Sequence, residues 1–193
     1  MPHVGVPGTG EVPAGADLCI FYRSGVDLLQ VALAYLQMGL EKGEACAWVT
    51  APPIGEQEAA CALDAVVPTA TEHRAQGQLE IMSESSWFSR DGAFDPARMA
   101  QHWFALMHRL DQRRKTGIRV LRQYPYLGAA LGEPLDACDR HIREAMPDPR
   151  RLALWAYPAA DCTPDRMLKV MQCHTHILLP TRSRSWTLTT VST

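Results

Sequence analysis

The stretch 19-CIFYRSGVDLL-29 decides the fold. Cys19 to Tyr22 reads as a short buried strand, Arg23 to Gly25 as a turn, and the residues after it as the start of a long helix. In α/β proteins such a junction often cradles a phosphate, because backbone N–H groups and the positive end of the helix point at it. Gripping a nucleotide there takes several glycines and usually a Lys followed by Ser or Thr. This turn offers Arg23, Ser24, Gly25, Val26 and Asp27. The scaffold is right and the phosphate-binding equipment is missing.

Working outward, Leu29, Leu33, Leu36 and Leu40 recur at spacings of four, three and four, the stripe of a core-facing helix that stops near Gly43. Strands are expected at 44–51, 77–83, 118–124 and 151–157, separated by helices at 55–67, 95–117 and 133–146. The second of these helices starts with Asp95 as cap and Pro96 in the first turn, and Met99, Trp103, Leu106 and Leu110 form its apolar stripe. The spacing predicts one further helix over 163–179, capped by Thr163, then an edge or returning strand at 183–191 with β-branched residues alternating in polarity. Strands alternating with helices of this length mean a mainly parallel sheet covered on both faces, with ligands bound at the carboxyl ends of the strands.

A chain of 193 residues with 47% hydrophobic and 21% charged residues suits one well-filled α/β domain. Residues 1–15, rich in Gly, Pro and Val, are expected as a flexible lead, and 16–193 as a single domain. The "GTGE" at 8–11 precedes the first strand instead of following it, so it is not a phosphate loop. A net charge of −2 and a pI near 6.4 give no general pull toward nucleic acid or an anionic membrane. No apolar run reaches the roughly 18–20 residues of a membrane span. The first residues are not patterned as a secretory signal, and a cytoplasmic location is expected. The six cysteines are spread singly with no C-x-x-C pair, which suits buried thiols in a reducing compartment better than a disulfide framework.

The segments 17-DLCIFYRSGVDLLQVALAYLQMGLEKGEACAWVTA-51, "GQLEI", "GAFDPARM", "GIRVL" and the late "LKVMQCHTHIL" together resemble the MEDS sensory domain, named for methanogens, methylotrophs and the regulator of dichloromethane dehalogenase. The likeness spans about residues 17 to 180. It implies a RecA-like three-layer α/β sandwich related to ATPases of the circadian-clock type, without a working phosphate loop. It also implies a non-catalytic sensory role. In longer proteins such domains accompany DNA-binding or histidine-kinase-type ATPase domains, and the ligand proposed for them is a small hydrocarbon derivative. The family's first strand carries His-x-Cys-x-Phe-Tyr. Here Cys19, Phe21 and Tyr22 match, Asp17 stands at the histidine position, and His174 matches the late histidine.

The ligand-binding candidates are therefore Asp17, Cys19, Tyr22, Arg23, Ser24 and His174. Cys19 reads first as a buried thiol that only packs, and otherwise as a group facing a ligand cleft with Tyr22. His174, on a helical face with Met167, Val170, Met171 and Leu178, reads either as a satisfied core residue or as an imidazole that bonds a ligand. Cys173 and His176, three apart on that same helix, are candidates for a metal, which would need Asp17 or Cys19 to complete it. No catalytic motif is recognised and no cofactor can be named. The expected partners are a small molecule and a signalling protein, a kinase or regulator, with self-association as the other route. Two alternatives stay open. One is a residual nucleotide-binding protein or ATPase using Arg23 and Ser24 in place of the lysine. The other is a metal- or redox-responsive sensor built on Asp17, Cys19 and His174.

Overall fold

The computed structural model describes residues 1–87, 95–113, 115–124, 137–138, 140–142, 144–145, 148–181 and 185–191. The chain runs β1 (Asp17–Tyr22), α1 (Gly25–Glu41), β2 (Ala45–Thr50), α2 (Glu56–Val66), α3 (Ala70–Ala75), β3 (Leu79–Ser83), α4 (Pro96–Gln112), β4 (Ile118–Gln123), β5 (Arg151–Pro158), α5 (Pro164–Gln172), β6 (His176–Pro180) and β7 (Trp186–Thr190). One seven-stranded sheet has the order β3-β2-β4-β5-β1-β6-β7. Every pairing is parallel except β6 with β7. Strands buried on both faces read as continuous apolar runs, and β2, with all six residues buried, is an example.

Side-chain alternation sends each strand into two cores. Leu18, Ile20 and Tyr22 of β1 and Leu152, Leu154 and Ala156 of β5 pack with α1 and α2 on one face. Cys19, Ala153, Trp155 and Tyr157 pack with α4 on the other. Asp95 caps α4 as expected, accepting from the N–H groups of Ala97 at 3.0 Å and Arg98 at 3.2 Å. The helix expected at 133–146 lies only partly within the described residues, of which Cys138 and Ile142 are buried in the α4 core.

One expected element is corrected. The helix 163–179 is two elements: α5 ends at Gln172, and His176–Pro180 is strand β6 beside β1, with Leu18 opposite His176. Met167, Val170, His174 and Leu178 mimic a helical stripe by coincidence of spacing. A strand bonded to both β1 and β7 satisfies more backbone than another turn of helix over the same apolar residues. Cys173 therefore caps the end of α5 while His176 opens a strand, so they do not share a helical face.

The lead also differs from expectation. Val4, Val6 and Val12 are fully buried in the α1 core, and residues 2–12 fold back on themselves through Val4 N–H to Gly10 O (3.0 Å) and Val12 N–H to Pro2 O (2.9 Å). Gly8, at φ +88°, lies so close to the backbone of Trp186 that no side chain fits there. Beneath the segment lies Arg119 of β4, fully buried. Its guanidinium donates to His3 O (3.0 Å), Val4 O (2.9 Å) and Tyr35 O (3.1 Å), pairs with the Glu44 carboxylate, and lies 4.7 Å from the centre of the Tyr35 ring. Gly39 makes room for it: a Cβ there would come within 2.6 Å of Arg119 Cδ. The apolar spacing of the valines was invisible to a periodicity argument because turns separate them.

Candidate functional site

The turn at 23–27 is closed by the protein's own groups. Ser24 is the N-cap of α1, its hydroxyl accepting from Asp27 N–H at 3.2 Å. The Asp27 carboxylate reaches back to accept from Arg23 N–H at 3.3 Å and Arg23 Nε at 3.0 Å. An anion thus already sits at the positive end of the helix. The loop after β2, with a cis peptide between Pro52 and Pro53, lies over the same turn. A side chain at Gly25 would meet Ile54 Cδ1 at 3.2 Å and Pro53 Cγ at 3.7 Å. Gln123 fixes that loop from below, accepting from Trp48 Nε1 at 2.6 Å and donating to the carbonyls of Ala51 and Ile54.

The α4 face holds a denser constellation. Arg122 of β4 is fully buried and paired with Glu84, which is 1% exposed. The Arg122 guanidinium lies 4.8 Å from the centre of the Tyr124 ring, 5.6 Å from Trp155 and 5.9 Å from Trp103. Trp103 stacks on Trp155 at 5.2 Å and Tyr124 on Tyr157 at 4.1 Å. His174 stands edge-on to Tyr157 (5.9 Å) and Trp155 (6.2 Å). Its Nδ1 lies 2.7 Å from Val170 O, and since a carbonyl only accepts, Nδ1 carries the proton. Trp155 also donates to Asp17 Oδ1 at 3.3 Å, and Arg151 lies 3.6 Å from the other oxygen of Asp17.

The six sequence candidates thus fall into two groups. Asp17, Cys19 and His174 lie on the α4 face of the sheet, gathered about Trp155, which is the register neighbour of Cys19. Tyr22, Arg23 and Ser24 lie at the carboxyl end of β1 beside α1, where Arg23 is 69% exposed. Among the described residues no three His, Cys, Asp or Glu side chains cluster to hold a metal, and no helix is long and apolar enough to cross a membrane. Burial of the His176 ring lowers its pKa.

Three buried oxygens lack a hydrogen-bond partner among the described residues: Tyr22 Oη, Tyr124 Oη and Asp161 Oδ2. Tyr124 and Tyr22 stand at the carboxyl ends of β4 and β1, and Asp161 closes the short 3-10 turn Ala159–Asp161 that follows β5. In the sheet β5 lies between β4 and β1, so the three groups lie along one stretch of its carboxyl edge, with Tyr22 on the α1 face and Tyr124 on the α4 face. Burial pushes the Tyr22 phenol pKa well up, and the neighbouring Asp161 and Cys162 add to the rise. At the opposite, amino edge a cleft of about 260 Å³ is lined by Phe104, Met107, His108, Ile118 and Arg151. Its charges are already paired: Asp111 and Asp148 with Arg150 at 2.6 and 3.0 Å, and Arg151 with Asp17.

Sequence reasoning missed Arg122, Glu84, Asp161 and the four stacked rings. A signal existed in "IRVLRQY". Two arginines on opposite faces of a central strand must both be buried and paired, since charges are almost never buried alone. The order of strands, with β1 inserted between β5 and β6, and the turn after β1 where a phosphate loop would stand are features of RecA-like folds. The matching family model, MEDS (MEthanogen/methylotroph, DcmR Sensory domain), covers residues 18–175. The chain belongs to the MEDS family. Among solved structures this MEDS chain is similar to the KaiC-like protein PH0186 of Pyrococcus horikoshii OT3, with 13% identity, a TM-score of 0.59, and 93% of this chain and 82% of that one covered. A second is the flagellar accessory protein FlaH of Methanocaldococcus jannaschii, with 10% identity, a TM-score of 0.49, and 88% and 72% covered. No curated protein matches the MEDS chain. The KaiC-like neighbour shows the RecA-like fold, and the family gives a sensory role.

Proposed function

We propose that this MEDS chain is a non-catalytic sensory module. It binds a small molecule over the carboxyl edge of β4, β5 and β1 and passes the change to a signalling protein, a kinase or regulator, or to a second copy of itself. Residues 16–193 act as one unit with the first fifteen residues packed against it. The observation that carries this reading is the edge's unused bonding capacity. Buried oxygens without a hydrogen-bond partner are rare, and Tyr22, Tyr124 and Asp161 meet none among the described residues, so this edge calls for something bound across it. The closed turn supports the same reading from the other side. Arg23 and Ser24, the groups that would replace the lysine of a nucleotide site, are taken up by Asp27 and the α1 cap. A degenerate phosphate loop is the natural description of such a turn.

Native mass spectrometry of freshly purified protein tests the proposal. A small-molecule mass retained by the folded chain, with occupancy reduced when Tyr22 and Tyr124 are both changed to Phe, is the expected result. A retained nucleoside triphosphate contradicts it.

A further inference from the structure

Tyr22 ends β1 and pairs in register with Pro158, the last residue of β5. The turn Ala159–Asp161 follows at once, which brings Asp161 and Cys162 into the neighbourhood of the Tyr22 phenol. Tyr22 is 4% exposed, and its Oη meets no hydrogen-bond partner among the described residues. Asp161 Oδ2, also buried, is equally unmet. The nearby Thr163 hydroxyl caps α5, accepting from Arg166 N–H at 3.3 Å, and makes no bond to Asp161 Oδ2. Arg23, the cation next in sequence to Tyr22, is turned onto Asp27. A phenol can donate or accept, whereas an ionised carboxylate only accepts. What such a pair lacks is a donor, and positive charge answers the carboxylate best.

Resting on the carboxyl-edge reading, we infer that Tyr22 and Asp161 form the polar end of the ligand site and select a small molecule carrying a protonated amine over a carboxylate or phosphate. The Asp161 carboxylate takes the ammonium hydrogens, and the Tyr22 oxygen accepts another.

Calorimetric titration with three two-carbon probes, ethylammonium, ethanol and acetate, tests this on the full chain and on Tyr22→Phe and Asp161→Asn. Ethylammonium is expected to bind most tightly. Asp161→Asn should weaken it about 10- to 100-fold, the scale of a charge-assisted bond, and Tyr22→Phe by a smaller factor. Tyr22→Phe removes an unpartnered hydroxyl, so its thermal midpoint should stay level or rise while binding falls. A purely structural tyrosine would lose stability and leave binding alone. Ethylammonium binding unchanged by Asp161→Asn, or acetate binding more tightly, overturns the inference. A retained ligand whose occupancy in native mass spectra neither substitution alters overturns the amine preference and leaves the sensory reading standing.

Discussion

Changing Glu84 to Gln is expected to destabilise the protein by about 3–5 kcal/mol, the range for removing one partner of a buried ion pair. The substitution keeps the volume and removes the charge that faces Arg122. Arg122 is fully buried, so its cation would stay inside the protein against the rings of Trp103, Tyr124 and Trp155, with the Met99 sulfur at 3.0 Å. Those rings attract a cation, but each contributes only on the order of 1–2 kcal/mol when desolvated. Replacing both partners by methionine should cost much less than the sum of Glu84→Met and Arg122→Met, because neither charge is left facing an uncharged replacement. Urea unfolding of the four proteins in a double-mutant cycle measures this. A coupling energy near zero would mean that the pair does not organise the α4 core.

The second large effect belongs to Arg119. Arg119→Met removes four contacts at once: the Glu44 ion pair and the bonds to His3 O, Val4 O and Tyr35 O. Glu44 keeps some access to water, at 13% side-chain exposure, so the cost of its lost partner is softened. The carbonyls of Val4 and Tyr35 lose a buried donor, at about 1–3 kcal/mol for each group left unmet. The total should approach that of Glu84→Gln, but the symptom differs. Residues 2–12 are held to the body through this guanidinium and through Val4, Val6 and Val12. Amide exchange at Val4 and Val12 should accelerate in Arg119→Met well beyond the change at β5. Uniform acceleration over the whole chain would show that the segment is not a separately anchored unit.

The fold was legible in the sequence wherever burial produced a plain pattern. β1, α1 and β2 could be read because a strand buried on both faces is apolar throughout and a helix with one buried side repeats its apolar residues. The buried face of α1 nevertheless runs through Leu28, Val31, Tyr35, Leu36 and Leu40, with Leu29 and Leu33 at its margin. The chain between α5 and β6 was not legible. Val170, His174 and Leu178 satisfy a helical spacing, and only the open edge of β1, which no local pattern reveals, turns His176–Pro180 into a strand. The N-terminal valines were hidden for a similar reason, since turns at Gly5 and Gly8 break any periodicity. Of the groups at the candidate site, Tyr22 could be named from the sequence because it sits in the strand–turn–helix itself, as does the turn without a lysine. Sequence reasoning missed Asp161, Tyr124 and Glu84, which meet Tyr22 or Arg122 only after the strand order 4-5-1 is formed. Such groups, far apart in the chain, converge by topology alone.

The central claim is that the first turn of α1, its positive end taken up by Asp27 and bordered by Pro53 and Ile54, does not bind a triphosphate. Calorimetric titration of the purified chain with ATP and magnesium tests it most directly. The account predicts no binding heat and no released phosphate. Micromolar affinity accompanied by hydrolysis, lost on changing Arg23 to Ala, would contradict it.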